Sequence, residues 1–351
     1  MSISDISKRY RDAQRLPKVV AERCVYSLFE NASCRACADA CPQQAWIIDD
    51  EQVGIDESAC TSCGLCGAAC PEGAILHTLP IHTLYLGGIR SAFIRCEEKG
   101  KQSFPCLGSL GLQQLVELYA DNVRRLYICR DHCRSCEHQG TSAFEQLIDN
   151  LNQLLIARRR PTLSVFDLSP TQMQTAIDSA QNEVNQGPSI GRRSFMRQLF
   201  NHTVDQCLDI SESVASRPEA FIPVGQHLPR VNDQDPAFFS PKIDTERCNG
   251  CDACIHICPH QALTFDKEDH FFKLDADPCT GCGLCKDICD KNAIEIERWA
   301  RPHSMNIPFT SRRCKSCGQE YHLPTQNRPH PAYCSICIKR DHHRNLFQVL
   351  D

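Results

Sequence analysis

Cysteine at short, regular intervals constrains this chain more than any other feature. Of its 351 residues, 26 are cysteine, and most of these fall into four blocks with the spacing C-x2-C-x2-C-x3-C. The first block lacks its initial cysteine. The blocks comprise Cys34, Cys37 and Cys41; Cys60, Cys63, Cys66 and Cys70; Cys248, Cys251, Cys254 and Cys258; and Cys279, Cys282, Cys285 and Cys289. Such spacing lets several soft thiolates converge on one metal centre, so metal binding is the first prediction.

The blocks resemble the run by which bacterial-type ferredoxins hold two 4Fe–4S clusters, and a proline follows three of the four, as in that family. The exception is Asp290, which follows Cys289. Because the blocks form two tandem pairs, the chain resembles a polyferredoxin with one two-cluster module near each end. The resemblance implies four 4Fe–4S clusters and, as a function, the transfer of single electrons.

The same resemblance implies crossed ligation, because the fourth cysteine of each run binds the other cluster of its module. In the C-terminal module the two sets are Cys248, Cys251, Cys254 and Cys289, and Cys279, Cys282, Cys285 and Cys258. In the N-terminal module one set is complete, with Cys60, Cys63, Cys66 and Cys41. His256 and His260 flank Cys258 and are interpreted as surface residues beside a cluster.

The second N-terminal set is one ligand short. It has Cys34, Cys37 and Cys70, but Asn31 stands where the first cysteine is expected. Cys24 supplies the missing ligand if residues 25–33 form an inserted loop. The alternatives are a three-iron cluster or a ligand of another kind, and in the latter case Cys24 is a buried thiol.

Between the modules, apolar strands alternate with periodic helices, which predicts a small α/β unit. Strands are predicted at 91–95, 103–107, 125–128 and 163–168, and helices at 112–120 and 141–160. Because the cysteines here fall near strand ends, we expect Cys96, Cys106, Cys133 and Cys136 to hold a fifth 4Fe–4S cluster, with Cys129 as an alternative ligand. Structural zinc and bare thiols are the other interpretations.

Cys129, Cys133 and Cys136 also match the C-x3-C-x2-C motif of radical S-adenosylmethionine enzymes. That family has an aromatic residue before the third cysteine, where Ser135 stands in this chain. Its barrel also needs more βα units than follow the motif here. An enzyme of this class is therefore an alternative and not the preferred interpretation.

The tail carries two further cysteine pairs, Cys314-x2-Cys317 and Cys334-x2-Cys337. Two such pairs form a closed tetrahedral site of four thiolates, which is typical of a structural zinc ribbon. Cys317-Gly318 faintly resembles rubredoxin, so a mononuclear iron is the alternative.

Composition and charge agree with a metal-dependent fold. The hydrophobic fraction of 42% includes the cysteines, so few ordinary apolar residues are left to build cores, and metal-binding free energy is expected to serve as folding free energy. The net charge of −5 argues against nucleic acid as a partner. A polar N-terminus without a signal peptide, and no apolar run long enough for a membrane span, predict a cytoplasmic protein.

The predicted fold class is α+β, with two ferredoxin-like two-cluster modules flanking a small α/β unit and a C-terminal zinc ribbon. The predicted boundaries are 1–80 for the first module, 81–170 for the α/β unit, 171–210 for a helical segment, 211–241 for a proline-rich linker, 242–300 for the second module and 301–351 for the ribbon.

No dinucleotide-binding, phosphate-binding or nucleophile motif occurs in the sequence, so an electron carrier or electron-transfer subunit is predicted rather than a catalyst. Its expected partners are redox proteins, namely a low-potential donor and a larger oxidoreductase. By analogy with polyferredoxins, the latter is expected to be a molybdenum or tungsten enzyme such as formate dehydrogenase. A non-redox scaffold or maturation factor is a further alternative.

Overall fold

The first cysteine-rich region folds into two short antiparallel strand pairs connected by helical turns. A computed structural model describes residues 16–49, 53–77, 79, 81–95, 106–131, 133, 141–186, 221–302, 306–326 and 330–340. In this region the elements are β1 (Lys18–Val19), α1 (Val25–Leu28), α2 (Ala36–Asp39), β2 (Trp46–Ile48), β3 (Val53–Ile55), α3 (Leu65–Ala69) and β4 (Ile75–Leu76). A 3-10 turn, Ala21–Arg23, precedes α1. β1 pairs with β4, and β2 with β3.

A four-stranded sheet with helices on both faces follows. Its elements are β5 (His82–Leu86), β6 (Ile89–Arg95), α4 (Leu112–Ala120), β7 (Arg125–Cys129), α5 (Thr141–Ala157), β8 (Ser164–Asp167) and α6 (Pro170–Gln186). The strand order is β5-β6-β7-β8, with β5 antiparallel to β6 and the other neighbours parallel. Parallel neighbours need crossover helices, which α4 and α5 provide.

Apolar side chains cover both faces of this sheet. On one face, Leu115 of α4 and Leu151 of α5 belong to the same buried cluster as Ile94 and Leu126. On the other face, Met173 of α6 packs in a second cluster with Phe93 and Tyr127. The α/β unit therefore has an ordinary apolar core.

The predicted helix at 112–120 and the strands at 91–95 and 125–128 are confirmed. The strand predicted at 103–107 is wrong where the structure describes it. Cys106 instead begins a 3-10 turn, Leu107–Ser109, because its sulfur accepts a hydrogen bond from Gly108 N. Of the predicted helical segment 171–210, α6 accounts for the part up to Gln186. Residues 187–210 lie outside the described residues.

Residues 221–241 are more ordered than the predicted linker. They contain α7 (Val224–His227), and Phe239 begins the first strand of the second module. Val224 and Phe238 are buried in the same cluster as the core of the α/β unit. Arg158, only 5% exposed, donates to the carbonyl oxygens of Leu228 and Pro236. This segment therefore attaches the second module to the α/β unit.

The second cysteine-rich region repeats the strand pairing of the first. Its elements are β9 (Phe239–Ile243), α8 (Ala253–Ile257), β10 (Leu263–Asp266), β11 (Phe271–Leu274), α9 (Leu284–Asp287) and β12 (Ile294–Arg298). β9 pairs with β12, as β1 pairs with β4, and β10 pairs with β11, as β2 pairs with β3. Two regions with the same cysteine spacing thus share one fold.

The tail is continuous with the second module. It consists of β13 (Asn306–Arg313), β14 (Glu320–Pro324) and α10 (Ser335–Lys339), and β13 pairs with both β11 and β14. The predicted ribbon therefore extends the sheet of the second module. Among the described residues, no helix combines the length and apolar character needed to cross a membrane.

Candidate metal centres

Four cavities in the described part of the chain are each lined by four cysteines. Cavity A has Cys41, Cys60, Cys63 and Cys66; cavity B has Cys24, Cys34, Cys37 and Cys70; cavity C has Cys258, Cys279, Cys282 and Cys285; and cavity D has Cys248, Cys251, Cys254 and Cys289. Each measures about 310 to 390 Å³ including its open mouth. In A, C and D, three cysteines come from one block and the fourth from its tandem partner.

The cysteine loops owe their shape to left-handed backbone at fixed positions. Two and four residues after the first cysteine of each complete block, φ lies between 54° and 90°. These residues are Ser62, Gly64, Gly250, Asp252, Gly281 and Gly283. Left-handed turns fold the loop back on itself, so that successive sulfurs face one cavity.

A second left-handed turn follows the last cysteine of each block. Gln44, Gly73, Gln261 and Asn292 all have positive φ. The next residue then donates its backbone N–H to that cysteine's sulfur at 3.3 to 3.4 Å, in the pairs Ala45–Cys41, Ala74–Cys70, Ala262–Cys258 and Ala293–Cys289. N–H donors of this kind stabilise negative charge on sulfur, which is what a cluster ligand carries.

Cavity B differs in the position from which its first cysteine comes. In the incomplete block, Arg35 has a φ of −130° where the complete blocks have a left-handed residue. Cys24 instead lies at the N-terminal end of α1, and the segment after it returns to Cys34. The structure thus brings Cys24 to the cavity of Cys34, Cys37 and Cys70.

The thiols in each cavity affect one another electrostatically. Burial raises the pKa of Cys37 to about 12, and the neighbouring sulfurs of Cys70, Cys34 and Cys24 add to that rise. Burial likewise raises the pKa of Cys279 to about 12, with a contribution from Cys282 and Cys258. In both cases the neighbouring sulfurs line the same cavity as the thiol whose pKa they raise. Buried thiols with such pKa values become thiolates only when a metal compensates their charge.

Cavity A contains a polar group that pattern reasoning did not identify. Trp46 is 8% exposed, lines this cavity, and its buried indole N–H has no oxygen or nitrogen acceptor among the described residues. Burial raises the pKa of Cys66 to about 12, and the Trp46 indole opposes this rise. A buried donor facing cysteine sulfur suits a negatively charged cluster.

Cavities B and C are joined by a buried polar contact, which the sequence did not predict. Glu72 is 4% exposed, accepts a hydrogen bond from Thr280, and lies 2.6 Å from Nε2 of His260. The interpretation of His260 as a surface residue is therefore wrong, whereas His256 is exposed. Burial raises the pKa of Cys282 to about 12, and Glu72 contributes most after burial.

The cysteines of the tail form a much tighter group. All four sulfurs, from Cys314, Cys317, Cys334 and Cys337, lie within 4.8 Å of one another, and no other such group occurs among the described residues. The sulfurs of Cys317 and Cys334 are 3.9 Å apart. A tetrahedron with zinc–sulfur bonds of ~2.3 Å has edges of about 3.8 Å. This spacing fits a single ion, whereas a cubane holds its cysteine sulfurs further apart.

Backbone amides favour a thiolate in this tail site. Burial disfavours charge on Cys314, but N–H groups of Cys317, Cys334 and Ser316 donate to its sulfur and lower the pKa of Cys314 to about 6. Thiolate is the form that binds metal.

The predicted fifth site is described only in part. Cys96 and Cys136 lie outside the described residues. Cys106 is buried and donates its backbone N–H to the carbonyl oxygen of Cys63, beside cavity A. Cys129 is 3% exposed in the apolar cluster with Met173. Cys133 lies just beyond β7, where its N–H bonds to the Arg130 carbonyl oxygen.

Comparison with known proteins agrees with these cavities. Residues 8–74 and residues 241–296 each match a family model described as a 4Fe-4S dicluster domain. Over 51 residues the chain is 37% identical to an uncharacterised ferredoxin of Methanocaldococcus jannaschii, which corresponds to 14% of this chain and 82% of that protein. Both family matches fall on the cysteine-rich regions that hold cavities A to D.

Proposed function

Because the chain belongs to the ferredoxin family of 4Fe–4S dicluster proteins, we propose that it is a polyferredoxin that carries single electrons on four clusters. The observation that carries this proposal is the set of four cavities, each lined by four cysteines with N–H donors at sulfur. Two dicluster domains imply iron–sulfur electron transfer.

The proposed ligand sets are the cysteines of cavities A, B, C and D. Cys24 is the fourth ligand of cavity B, which makes a three-iron cluster unnecessary there. When bound, a 4Fe–4S cluster supplies one-electron redox chemistry. The chain's own contribution is to exclude water from the sulfurs, as at Cys279 and Cys285, which are 8% and 9% exposed. Backbone N–H donors at the sulfurs and the degree of exposure then set the potential.

Cluster assembly is expected to depend on pH. Burial raises the pKa of one or more thiols in every cavity, to about 12 for Cys66, Cys37 and Cys279 and to about 11 for Cys248, so these metal-free thiols are protonated at pH 7. Ligation then releases protons, and affinity for the metal rises with pH. Acidification therefore favours cluster loss.

We also propose that the tail cysteines hold one structural zinc ion. The 3.9 Å sulfur separation and the closed four-thiolate arrangement support this metal. Two polar contacts attach the tail to cavity D. His322 Nε2 lies 2.7 Å from Asp252 Oδ1, and Lys339 pairs with Asp290. The zinc would thus rigidify the outer edge of the second module.

The proposed partners are redox proteins: a low-potential electron donor and an oxidoreductase that accepts the electrons. Cys251 is exposed, while the other cysteines of cavities A to D are buried or half-buried. A partner is therefore expected to approach cavity D. The reducing interior of a cell, where thiols stay available for iron, is the proposed location.

The deciding experiment measures iron, acid-labile sulfide and zinc per chain in anaerobically purified protein. About sixteen iron atoms and one zinc, with clusters that can be reversibly reduced, support the proposal. About twenty iron atoms would add a fifth cluster, at Cys96, Cys106, Cys133 and Cys136. Clusters that cannot be reduced reversibly would favour a non-redox scaffold. Reductive cleavage of S-adenosylmethionine would instead favour the radical enzyme.

A further inference from the structure

Two cysteine blocks, the second block of the first module and the first block of the second module, contact each other at the same position of their repeat. Glu72 follows Cys70-Pro71, and His260 follows Cys258-Pro259, so each stands two residues after the last cysteine of its block. In the folded chain Glu72 Oε2 lies 2.6 Å from His260 Nε2. Two copies of the repeated block therefore contact each other at this point, with Glu72 on one side and His260 on the other.

These residues also separate two cavities. Glu72 lines cavity B, while His260 and Thr280 line cavity C. The Thr280 hydroxyl donates a hydrogen bond to Glu72, and both residues are 4% exposed. Through its contacts with Thr280 and His260, the Glu72 side chain thus connects the wall of cavity B to the wall of cavity C.

Apolar side chains from both modules also pack together at this interface. Val25 and Ala32 of the first module pack with Leu284 of the second, and this cluster includes Cys34 of cavity B and Cys282 of cavity C. At its edge Ser33 donates from both N and Oγ to the Asp287 carboxylate, at 2.7 and 2.9 Å. One ligand from each cavity therefore lies in a shared, water-poor interface.

We infer that this interface, centred on Glu72, Thr280 and His260, is an electron-transfer junction that links cavity B to cavity C. The inference rests on the proposed four-cluster function. One electron leaves the site in B, which is oxidised, and enters the site in C, which is reduced. No covalent bond is made or broken. The four sites then form one electron-transfer series in the order A, B, C, D.

The first and last sites of this series, in cavities A and D, lie in different surroundings. Cavity A adjoins the α/β unit, where Cys106 N bonds to the Cys63 carbonyl oxygen. Cavity D reaches the surface through the exposed Cys251. An electron that enters the first module would therefore leave through the second, after crossing the junction.

The test uses the full-length, anaerobically purified protein with its iron content verified. A photochemically generated flavin radical delivers less than one electron per chain, and freeze-quench electron paramagnetic resonance follows the electron in each module. The Cys60→Ser and Cys248→Ser variants assign the signals of the first and second modules. The comparison is between the parent, Glu72→Ala, Glu72→Gln and a control, Lys242→Ala with Glu297→Ala, which removes an ion pair on β9 and β12.

We expect rapid equilibration between modules in the parent, the control and Glu72→Gln, because glutamine keeps the shape, its oxygen can accept from Thr280, and its NH2 can donate to an unprotonated His260 Nε2. In Glu72→Ala preparations with the same iron content as the parent, the rapid phase is expected to be slower. An unchanged rate in Glu72→Ala would overturn the assignment of Glu72. If both modules accept electrons in the parent but never exchange them, the junction is wrong while the proposed function stands. Clusters that accept no electrons would instead contradict the proposed function.

If Glu72→Ala does not fold, a measurement on the parent protein still tests the junction. In the fully reduced protein, adjacent sites in B and C must show a magnetic interaction beyond those within each module. The Cys60→Ser, Cys248→Ser double variant removes the outer sites and isolates this interaction. Two non-interacting signals from that variant would overturn the junction.

Discussion

Cys24 lines a cavity whose sequence motif is one cysteine short. The complete blocks present their first cysteine from a left-handed loop, whereas the first block has Asn31 at that position. Cys24, at the start of α1, lines the same cavity as Cys34, Cys37 and Cys70. In the proposed ligand set, the fourth ligand of cavity B therefore comes from an upstream turn and not from the block itself.

Replacing Cys24 with alanine should remove about four iron atoms per chain or leave a three-iron signal, because cavity B loses its fourth thiolate. Iron analysis and electron paramagnetic resonance measure this. Ser27→Ala, on the same helix, is the control and should keep the full iron content. Unchanged iron in Cys24→Ala would show that another group ligates this cluster.

Trp46 offers a second prediction at the scale of one residue. Its buried indole N–H lines cavity A and favours negative charge on Cys66. Hydrogen bonds to cluster sulfur stabilise the more negative, reduced state and so raise the potential. Trp46→Phe should lower the potential of the cavity A site by on the order of tens of millivolts, with iron content unchanged.

Redox titration followed by electron paramagnetic resonance checks this shift. The matched control is Trp299→Phe, because Trp299 packs edge-on against Phe238 and lines none of the four cavities. A potential that stays the same in Trp46→Phe would mean that the indole does not act on the cluster.

At the scale of elements, the hairpin of β13 and β14 is positioned by a close approach to a cysteine loop. Gly250 has a φ of +63°, and a Cβ placed on it would lie 1.9 Å from the carbonyl oxygen of His322. His322 in turn stacks on Phe265 at 4.1 Å between ring centroids. The loop of cavity D and the tail therefore fit together only with glycine at this position.

Gly250→Ala should destabilise the protein by more than the ~1–2 kcal/mol that a left-handed backbone costs an L-residue. Gly283→Ala is the control, because Gly283 has a φ of +90° in an equivalent loop but nothing within 4 Å of its Cβ position. Anaerobic denaturation with zinc analysis compares the two variants. Equal losses of stability would indicate that the hairpin moves without cost.

At the scale of the whole molecule, two kinds of core coexist. The α/β unit is held by apolar residues such as Ile94, Leu126 and Leu155, which are at most 1% exposed. The cysteine-rich modules instead surround cavities of about 310 to 390 Å³ lined by cysteine. Their strands and their four- to five-residue helices are short, and their apolar clusters are smaller than the cluster of the α/β unit.

Removal of the metals with a chelator under oxidising conditions should therefore unfold the two modules but leave the central sheet intact. Hydrogen exchange read by mass spectrometry should show lost protection in β9 to β12 and retained protection in β6, β7 and α4. The untreated protein is the reference. Loss of protection throughout the chain would mean that the α/β unit depends on the metal-bound modules.

The sequence predicted well wherever function follows from local spacing. Cysteine intervals predicted two dicluster regions, which the family matches confirm, and the crossed ligand sets, which stay a proposal. The same spacing predicted the tail cluster, because two C-x2-C pairs leave few other geometries. Periodicity alone gave the helix at 112–120, since its apolar face packs on the sheet next to it.

Only the tertiary structure decided what depends on residues far apart in the chain. Glu72 and Thr280 are 208 positions apart, and no local pattern predicts that a carboxylate after one block bonds to a hydroxyl in another. The attachment of β13 to β11 and the order in which the cavities adjoin follow from packing in the same way. Spacing determines what a segment binds, because ligand geometry is local. Which sites become neighbours is a property of the interface between modules.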